Sequence, residues 1–291
     1  MNVPVGSAGT LLHKLSISMR PRAARVLVRQ VKGMYIESQK NSKVQLWAGL
    51  KTKKGRSSHG SYLAEGARLA EEALQSSRVV ESVLVDVAAR DDYQSLRSLA
   101  VAKGAEVYEL SPQAFLSVSD TVTSQGIIAV VRQSDLSPAF PAYTLVLDGV
   151  QDPGNVGTLL RTSDAFAVSE VCCSEETADP FSPKVVRASM GGTFRLSIHR
   201  MNAASYIRTW TEAHPDGDII ITEADGEIAC HEVDFSKPAL IVIGSEAAGV
   251  SAAVRTLASK RVFIPMTASA ESLNAAVAGS IVLYESYRQR H

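Results

Sequence analysis

The sequence predicts an α/β fold built as two successive units, on three observations. Short β-branched and apolar runs alternate with stretches of helical period along most of the chain. The alternation breaks at 133–143, which carries Pro138 and Pro141 beside Ser134 and Ser137 and has no regular hydrophobic period. The length of 291 residues suits about two domains at roughly 100–200 residues each. With 45% hydrophobic and 21% charged residues the chain reads as a soluble globular protein. No apolar run approaches the roughly 18 residues of a membrane span. Of the three cysteines, Cys172 and Cys173 are adjacent and Cys230 is remote. That is neither a CxxC pair nor an even set, so a disulfide framework or structural zinc site is not expected.

In the first unit the pattern predicts a helix over 67–75, a strand over 79–85, a helix over 92–103 and a strand over 106–110. Ser111 followed by Pro112 marks a helix start, with the serine as cap and the proline in the first turn. A closing strand follows over 126–131. In the second unit continuous apolar strands fall at 144–147, 170–173, 218–221 and 239–243, with helical stretches near 156–166, 183–190 and 203–214. Such strands separated by helices point to a parallel sheet covered on both faces. The expected divisions are a basic arm over 1–61, a first domain over 62–136 and a second over 137–291.

A formal net charge of +0 conceals a segregation: from Met1 to Tyr62 there are 12 Lys and Arg against 1 acid, Glu37. A basic segment of this kind suits a polyanion, since each neutralised phosphate releases counterions, and RNA is the first candidate. The same features, with Arg20, Arg22, Arg25 and Arg29 preceding any acid, also fit an organelle transit peptide or a solvated tail. Charge alone does not separate the three. Lys51, Lys53, Lys54 and Arg56, with Ser57, Ser58 and Gly60, read as a loop before the first ordered unit.

Three glycine-bearing or small-residue segments each follow an apolar strand in the second unit, where open parallel sheets place their ligand crevice. The first, from Asp148 to Gly157, runs into a helix carrying Arg161; it is neither GxGxxG nor a P-loop. Asn155 lies at the helix N-terminus, where free N–H groups can hold an anion. The six residues to Arg161 span roughly 600° of helix, so the two share a side only if Asn155 sits in an irregular first turn. A capping Asn and a surface Arg would serve without any function. The second segment runs from Ile241 to Ser251. Gly244 permits close approach of a ligand to the backbone, and Glu246 falls near a helix start, where capping is its ordinary role. The third joins Ile264-Pro265-Met266 to 269–274 and a small-residue helix, in which Ala276 and Gly279 allow close packing while Val277, Ile281 and Tyr284 continue an apolar face. Ser272 and Asn274 are candidate caps.

In order and spacing these segments resemble the SpoU (TrmH-like) branch of the SPOUT RNA ribose methyltransferases. Asp-Pro-Gly-Asn-Val-Gly-x-x-x-Arg-Thr at 152–162 is similar to that family's first motif. Ile-Gly-Ser-Glu-x-x-Gly-Val at 243–250 resembles its second, and Ile-Pro-Met followed by Ser-Leu-Asn its third. The resemblance covers about 144–291. The first domain is similar, through Leu63-Ala64-Glu65-Gly66 and 124–131, to the ribosomal-protein-like substrate-binding domain of many relatives. No counterpart is seen for 37–47.

The resemblance implies a deep trefoil knot in the C-terminal α/β domain, S-adenosylmethionine bound within it, and a homodimer completing the active site. The general avoidance of knots would instead predict an unknotted doubly wound sheet. Matched position by position, Gly244, Ile264, Met266 and Leu273 would line the cofactor pocket, and Asn155, Arg161, Glu246, Ser272 and Asn274 would be the catalytic and RNA-positioning residues. The implied reaction is methyl transfer to a ribose 2′-hydroxyl of RNA, ribosomal RNA before transfer RNA. Arg161 is the family's proposed base; a guanidinium with a pKa above about 12 suits a phosphate clamp better. No metal is expected, since the histidines lack ligand spacing and methyl transfer needs no phosphate activation. A non-catalytic RNA-binding assembly protein is the leading rival, and a nucleotide-dependent oxidoreductase fails for want of a fingerprint loop. The location expected is the cytoplasm, or a mitochondrion or plastid if the arm is a transit peptide.

Overall fold

A computed structural model describes residues 33–267 and 272–291. The arm arginines from Arg20 to Arg29 and the stretch 268–271 of the third segment lie outside the described residues.

The first body is a five-stranded sheet with helices on both faces. In chain order it comprises β1 (Met34–Ile36), α1 (Ser42–Gly49), α2 (Lys53–His59), β2 (Ser61–Glu65), α3 (Ala67–Gln75), β3 (Val80–Asp86), α4 (Gln94–Ala102), β4 (Glu106–Leu110), α5 (Pro112–Val118) and β5 (Ile127–Arg132). The strand order is β1-β4-β3-β5-β2; the first three run parallel, and β5 is antiparallel to both its neighbours. Alternate side chains serve opposite faces. Ala64, Val83, Val85 and Val107 pack with the core containing α3, whereas Leu63, Leu84, Tyr108 and Val130 meet Val44 and Trp47 of α1 and Phe115 of α5. Ser111 caps α5 as expected, accepting from the Ala114 N–H.

This arrangement corrects the reading of 1–61 as an arm. From Met34 onward the segment belongs to the first body, because β1 pairs in parallel with β4 and Val44, Trp47 and Leu50 are buried. The stretch read as a loop contains α2, capped by Thr52 through the Gly55 N–H. Gly55 crosses so close to Gly49 that a Cβ would lie 2.1 Å from its carbonyl oxygen.

The second body comprises β6 (Tyr143–Asp148), α6 (Pro153–Ala165), β7 (Glu170–Cys173), α7 (Pro183–Ala188), α8 (Gly192–Arg195), β8 (Ser197–Arg200), α9 (Ala203–Ala213), β9 (Asp218–Thr222), β10 (Ile228–Ala229), β11 (Ala239–Gly244), α10 (Ala252–Arg255), β12 (Lys260–Phe263) and α11 (Ala275–Arg290). Its seven strands are all parallel, in the order β10-β12-β9-β11-β6-β7-β8. Both faces are covered: Leu145, Leu147, Ile241 and Ile243 pack with α6 and α11, while Val146, Leu240 and Val242 pack with Tyr206 and Trp210 of α9. Cys172 and Cys173 are buried on opposite faces of β7. From β6 the chain builds outward through β7 and β8, then crosses to the other side, so the strand order reverses between β6 and β11. The ends of these two strands, Asp148 and Gly244, stand side by side. Such a switch point leaves a crevice beyond the carboxyl ends of the strands.

The two bodies are joined through side chains. Arg56, 3% exposed, donates through Nε and Nη2 to Asp179 Oδ2 at 2.9 and 2.6 Å. Arg195 reaches Glu72 and Arg187 reaches Asp120, while Arg78 donates to the carbonyls of Phe194 and Leu196. Tyr62 packs against Phe181 with ring centroids 5.0 Å apart. The connecting stretch 133–142 is also fastened, for the buried Glu170 accepts from the N–H groups of Ala139 and Phe140.

Glu65 secures the 119–124 loop that carries Asp120. Burial opposes its charge, but the hydroxyls of Ser119 and Thr121, the Asp120 N–H and the Ser124 hydroxyl outweigh that and hold the carboxyl below its ordinary value of 4.5. A depressed folded value means that the stabilisation is complete above the ordinary value and is lost as pH falls through the folded one. The wild-type urea midpoint should therefore fall more steeply below pH 4.5 than that of Glu65→Gln, which starts lower at neutrality. Parallel curves would contradict this role.

Candidate active site at the switch point

Three loops meet in the crevice, those following β6, β11 and β12. The first enters α6 under the cap Asp152, whose Oδ1 accepts from the Asn155 N–H at 2.9 Å. Asn155 is therefore in the first turn of α6, and Asp152 rather than Asn155 is the cap. The second loop is a tight turn closed by reciprocal backbone hydrogen bonds of 2.9 Å between Ser245 and Gly249. Glu246 lies in this turn, and the next helix, α10, begins at Ala252, so the expectation of a helix start at Glu246 is corrected. Gly244 has no room for a side chain: a Cβ would lie 2.3 Å from the Gly249 carbonyl carbon. The third loop ends at Asn274, which caps α11 by accepting from the N–H groups of Ala276 and Val277.

One directed chain of hydrogen bonds ties the three loops. Glu246 Oε1 accepts from Asn155 Nδ2 at 2.6 Å, and Asn155 Oδ1 accepts from Asn274 Nδ2 at 3.0 Å. An ionised carboxylate only accepts, so Asn155 must turn its amide nitrogen toward Glu246. Its oxygen is thereby left for Asn274, whose own oxygen serves the helix. Burial works against the Glu246 charge, but the hydrogen bond from Asn155 and backbone N–H groups, those of Gln151 and Asp152 included, hold its pKa below the usual carboxylate value. Asp148 closes the arrangement beneath by accepting from the Ser251 N–H.

Beside this chain is a cleft of about 390 Å³. Gly244, Ile264, Met266 and Leu273 line it, together with Glu246, Ser272 and Asn274. The structure thus brings together eight of the nine residues singled out in the sequence, since Asn155 is bonded to two of the lining groups. Arg161 is apart from them. It is on the exposed side of α6 and, among the described residues, has no hydrogen-bond or ion-pair partner. Three lining residues escaped the sequence reading, Thr222 at the end of β9 and Glu223 and Ala224 just after it. Their signal was only a strand end at the sheet's carboxyl edge. Thr222 Oγ1 is buried without a partner, and Glu223 is bonded to Arg255 and Arg261.

Small residues of α11 let it pack tightly: a Cβ on Gly279 would lie 2.5 Å from Leu159 Cδ2, and Ser280 hydrogen-bonds Thr162 of α6. Val277, Ile281 and Tyr284 face the other way and are 36–52% exposed, an apolar strip left open to solvent. Among the described residues no cluster of three or more His, Cys, Asp or Glu is placed to hold a metal ion, and no helix is long and apolar enough to cross a membrane.

Residues 142–284 match the model of the SpoU rRNA methylase family, and 41–129 match an MRM3-like substrate-binding domain. The chain is 36% identical over 250 residues to RlmP, a 23S rRNA guanosine 2′-O-methyltransferase of Bacillus subtilis, covering 86% of this chain and 97% of RlmP. The chain belongs to the SpoU family. The AdoMet-bound rRNA methyltransferase of Sinorhizobium meliloti superposes with a TM-score of 0.76 at 31% identity, covering 89% of this chain and 98% of that one. AviRb of Streptomyces viridochromogenes, a SpoU methyltransferase in complex with AdoMet, gives 0.77 at 30% identity, covering 86% and 98%. This SpoU protein is a methyltransferase whose cofactor is S-adenosylmethionine, and the cleft suits such a group: adenine needs apolar walls and backbone partners, and the orphaned Thr222 hydroxyl lacks a partner that a ligand can supply.

Two substitutions separate the parts of this site. Gly244→Ala should abolish S-adenosylmethionine binding in calorimetry while the far-ultraviolet spectrum is kept. Asn155→Ala leaves Glu246 and Asn274 without their common partner, and a hydrogen bond to a charged group contributes about 1.5–3 kcal/mol. Methyl transfer should fall roughly 10–100-fold, with faster amide exchange in the turn after Gly244; unchanged exchange there would count against the tie between loops.

Proposed function

We propose that this SpoU protein methylates a ribose 2′-hydroxyl of ribosomal RNA, with Asn155, Arg161, Glu246, Ser272 and Asn274 at the reacting centre. The observation that carries the reading is the hydrogen-bond chain from Glu246 to Asn274 on the rim of a glycine-floored cleft. S-adenosylmethionine, when bound, supplies an electrophilic methyl group. Gly244, Ile264, Met266 and Leu273 hold its adenosine part through backbone groups and apolar contact, inside a loop topology that we infer to be the deep trefoil knot of the family. The close crossings at Gly244 and Gly279 support that topology.

The chain's own residues must align the acceptor and accommodate its charge. Positioning two reactants contributes up to about 7–11 kcal/mol. Asn155 and Ser272 orient the hydroxyl at the rim, and Glu246, kept ionised, fixes the direction of the Asn155 amide. Arg161 clamps the adjacent phosphate and stabilises the developing alkoxide, while the proton leaves to water at the open rim.

Arg161 is exposed and stands outside the cleft of its own chain. A homodimer resolves this. The exposed strip of Val277, Ile281 and Tyr284 on α11 supplies an apolar surface for a second copy, and the helix carrying Arg161 packs against α11. Ribosomal RNA as the substrate is supported by the relatives named above and by the rigidly attached first body, which suits a large folded target. The cytoplasm is the location we assign, in keeping with the bacterial relatives.

The test is incubation with labelled S-adenosylmethionine and fractionated cellular RNA. Label should enter ribosomal RNA as a 2′-O-methyl nucleotide; label in transfer RNA alone would redirect the substrate, and label in no RNA would leave a binding protein. Arg161→Lys, which lacks the planar fork, should lower kcat/KM by about 10-fold or more on the scale of a charge-assisted hydrogen bond. Full activity of that variant would remove both a clamp and a base role.

A further inference from the structure

The basic cluster at 51–56 is not absorbed by the catalytic site. Lys51 is committed, donating to the Ser117 carbonyl at 2.7 Å, and Arg56 is buried against Asp179. Lys53 and Lys54 are different: both are exposed and, among the described residues, neither has a hydrogen-bond or ion-pair partner. Their position relative to the crevice is fixed by a succession of short contacts. Asp179, which holds Arg56 one turn after Lys53, accepts from the Phe181 N–H in the turn that enters α7. Lys184, in the first turn of α7 and largely exposed, lies 3.8 Å from Asp152 Oδ2. Asp152 in turn caps α6 at Asn155. A succession of contacts therefore runs from α2 to the cap of α6, with three exposed ammonium groups along it. Arg187 of α7, bound to Asp120, ties the same helix to the first body a second time. Glu175 and Glu176 are exposed on the turn after β7, where they oppose a polyanion.

We propose that Lys53 and Lys54 of α2, continued by Lys184 of α7, form a phosphate-binding track for the RNA strand that flanks the acceptor nucleotide. The proposal rests on the RNA methyltransferase reading above. Ammonium groups on flexible stems hold phosphates as point charges without reading sequence. The track therefore sets affinity and register, while the crevice performs the transfer. Because α2 is locked to the second body through Arg56 and Asp179, strand and acceptor are held at a fixed separation.

The experiment compares full-length wild type with Lys53→Gln/Lys54→Gln and the corresponding double Glu variant, on ribosomal RNA and on a short oligonucleotide spanning only the methylated site. Each lost phosphate contact lowers the salt slope of binding by about 0.7–0.9, so the double variants should lose roughly 1.4–1.8 from it. KM for ribosomal RNA should rise about tenfold or more with kcat within about twofold. S-adenosylmethionine affinity and activity on the short oligonucleotide should match wild type. An unchanged salt slope and KM in variants that bind S-adenosylmethionine normally would overturn the track. A fall in kcat with unchanged KM would also overturn it, by showing an effect on the reacting centre. A wild type that methylates no RNA would defeat the catalytic reading separately, and the salt slope of binding would still decide the track.

Discussion

A single carboxylate, that of Glu246, holds the crevice in one arrangement. Its acceptor-only chemistry fixes the orientation of the Asn155 amide, and that amide fixes Asn274. Each of the three residues comes from a loop after a different strand, and the strands β6 and β11 bring the first two loops together because the sheet reverses direction between them. Long-range strand pairing thus does what no local sequence feature could: it makes residues 91 positions apart in the chain hydrogen-bond partners. The polar chain is exposed at the rim, and the cleft beside it has apolar walls, so a polar and an apolar surface adjoin at the crevice.

The second organising feature is the attachment of the first body. Its contact with the second is aromatic at Tyr62, Phe181 and Phe194 and ionic at Arg56 and Asp179, with further arginines anchored on carbonyls or carboxylates at the edges. A buried ion pair adds little net stability over an apolar pair of the same shape, but removing one partner is costly. Its geometric demand is what matters here. Arg56 satisfies Asp179 and the carbonyls of Leu50 and Lys51 together, so α2 can occupy one position relative to α7.

Strands buried on both faces were legible in the sequence because they are continuous apolar runs, and β6, β7, β9 and β11 fall where those runs predict them. The first-body strand β2 was not, although all five of its residues are buried, since Ser61 and Glu65 enclose only three apolar residues and a buried glutamate resembles a surface one. Nothing local announces the hydroxyls of Ser119, Thr121 and Ser124 that satisfy it. The helix α2 was hidden for a related reason: its composition of Lys, Arg, Ser and Gly has no apolar period, and it is held by one buried arginine whose partner lies 123 residues away. Within the site, the ordered motifs marked eight residues that converge, whereas Thr222 and Glu223 have no motif and were placed only by the sheet edge. The apolar residues of α11 were visible as a face, but periodicity does not say whether a face meets the core. In the structure Ala276, Gly279, Val282 and Leu283 do so, and Val277, Ile281 and Tyr284 do not.

That outward face and Arg161 bear on each other. An apolar strip costs free energy in water, roughly 25 cal/mol for each Å² left exposed that a partner would cover. A guanidinium free of carboxylates keeps its full capacity for a phosphate or an alkoxide. Had Arg161 been neutralised by a neighbouring acid, its charge would have been spent on the fold; the nearest acids of α6 are Asp152, which caps, and Asp164, which binds Arg195. The cap and the helix thus commit their carboxylates elsewhere, and among the described residues the arginine has no hydrogen-bond or ion-pair partner. Association through α11 would cover the apolar strip without consuming that charge, so one surface can serve assembly while the other serves the substrate.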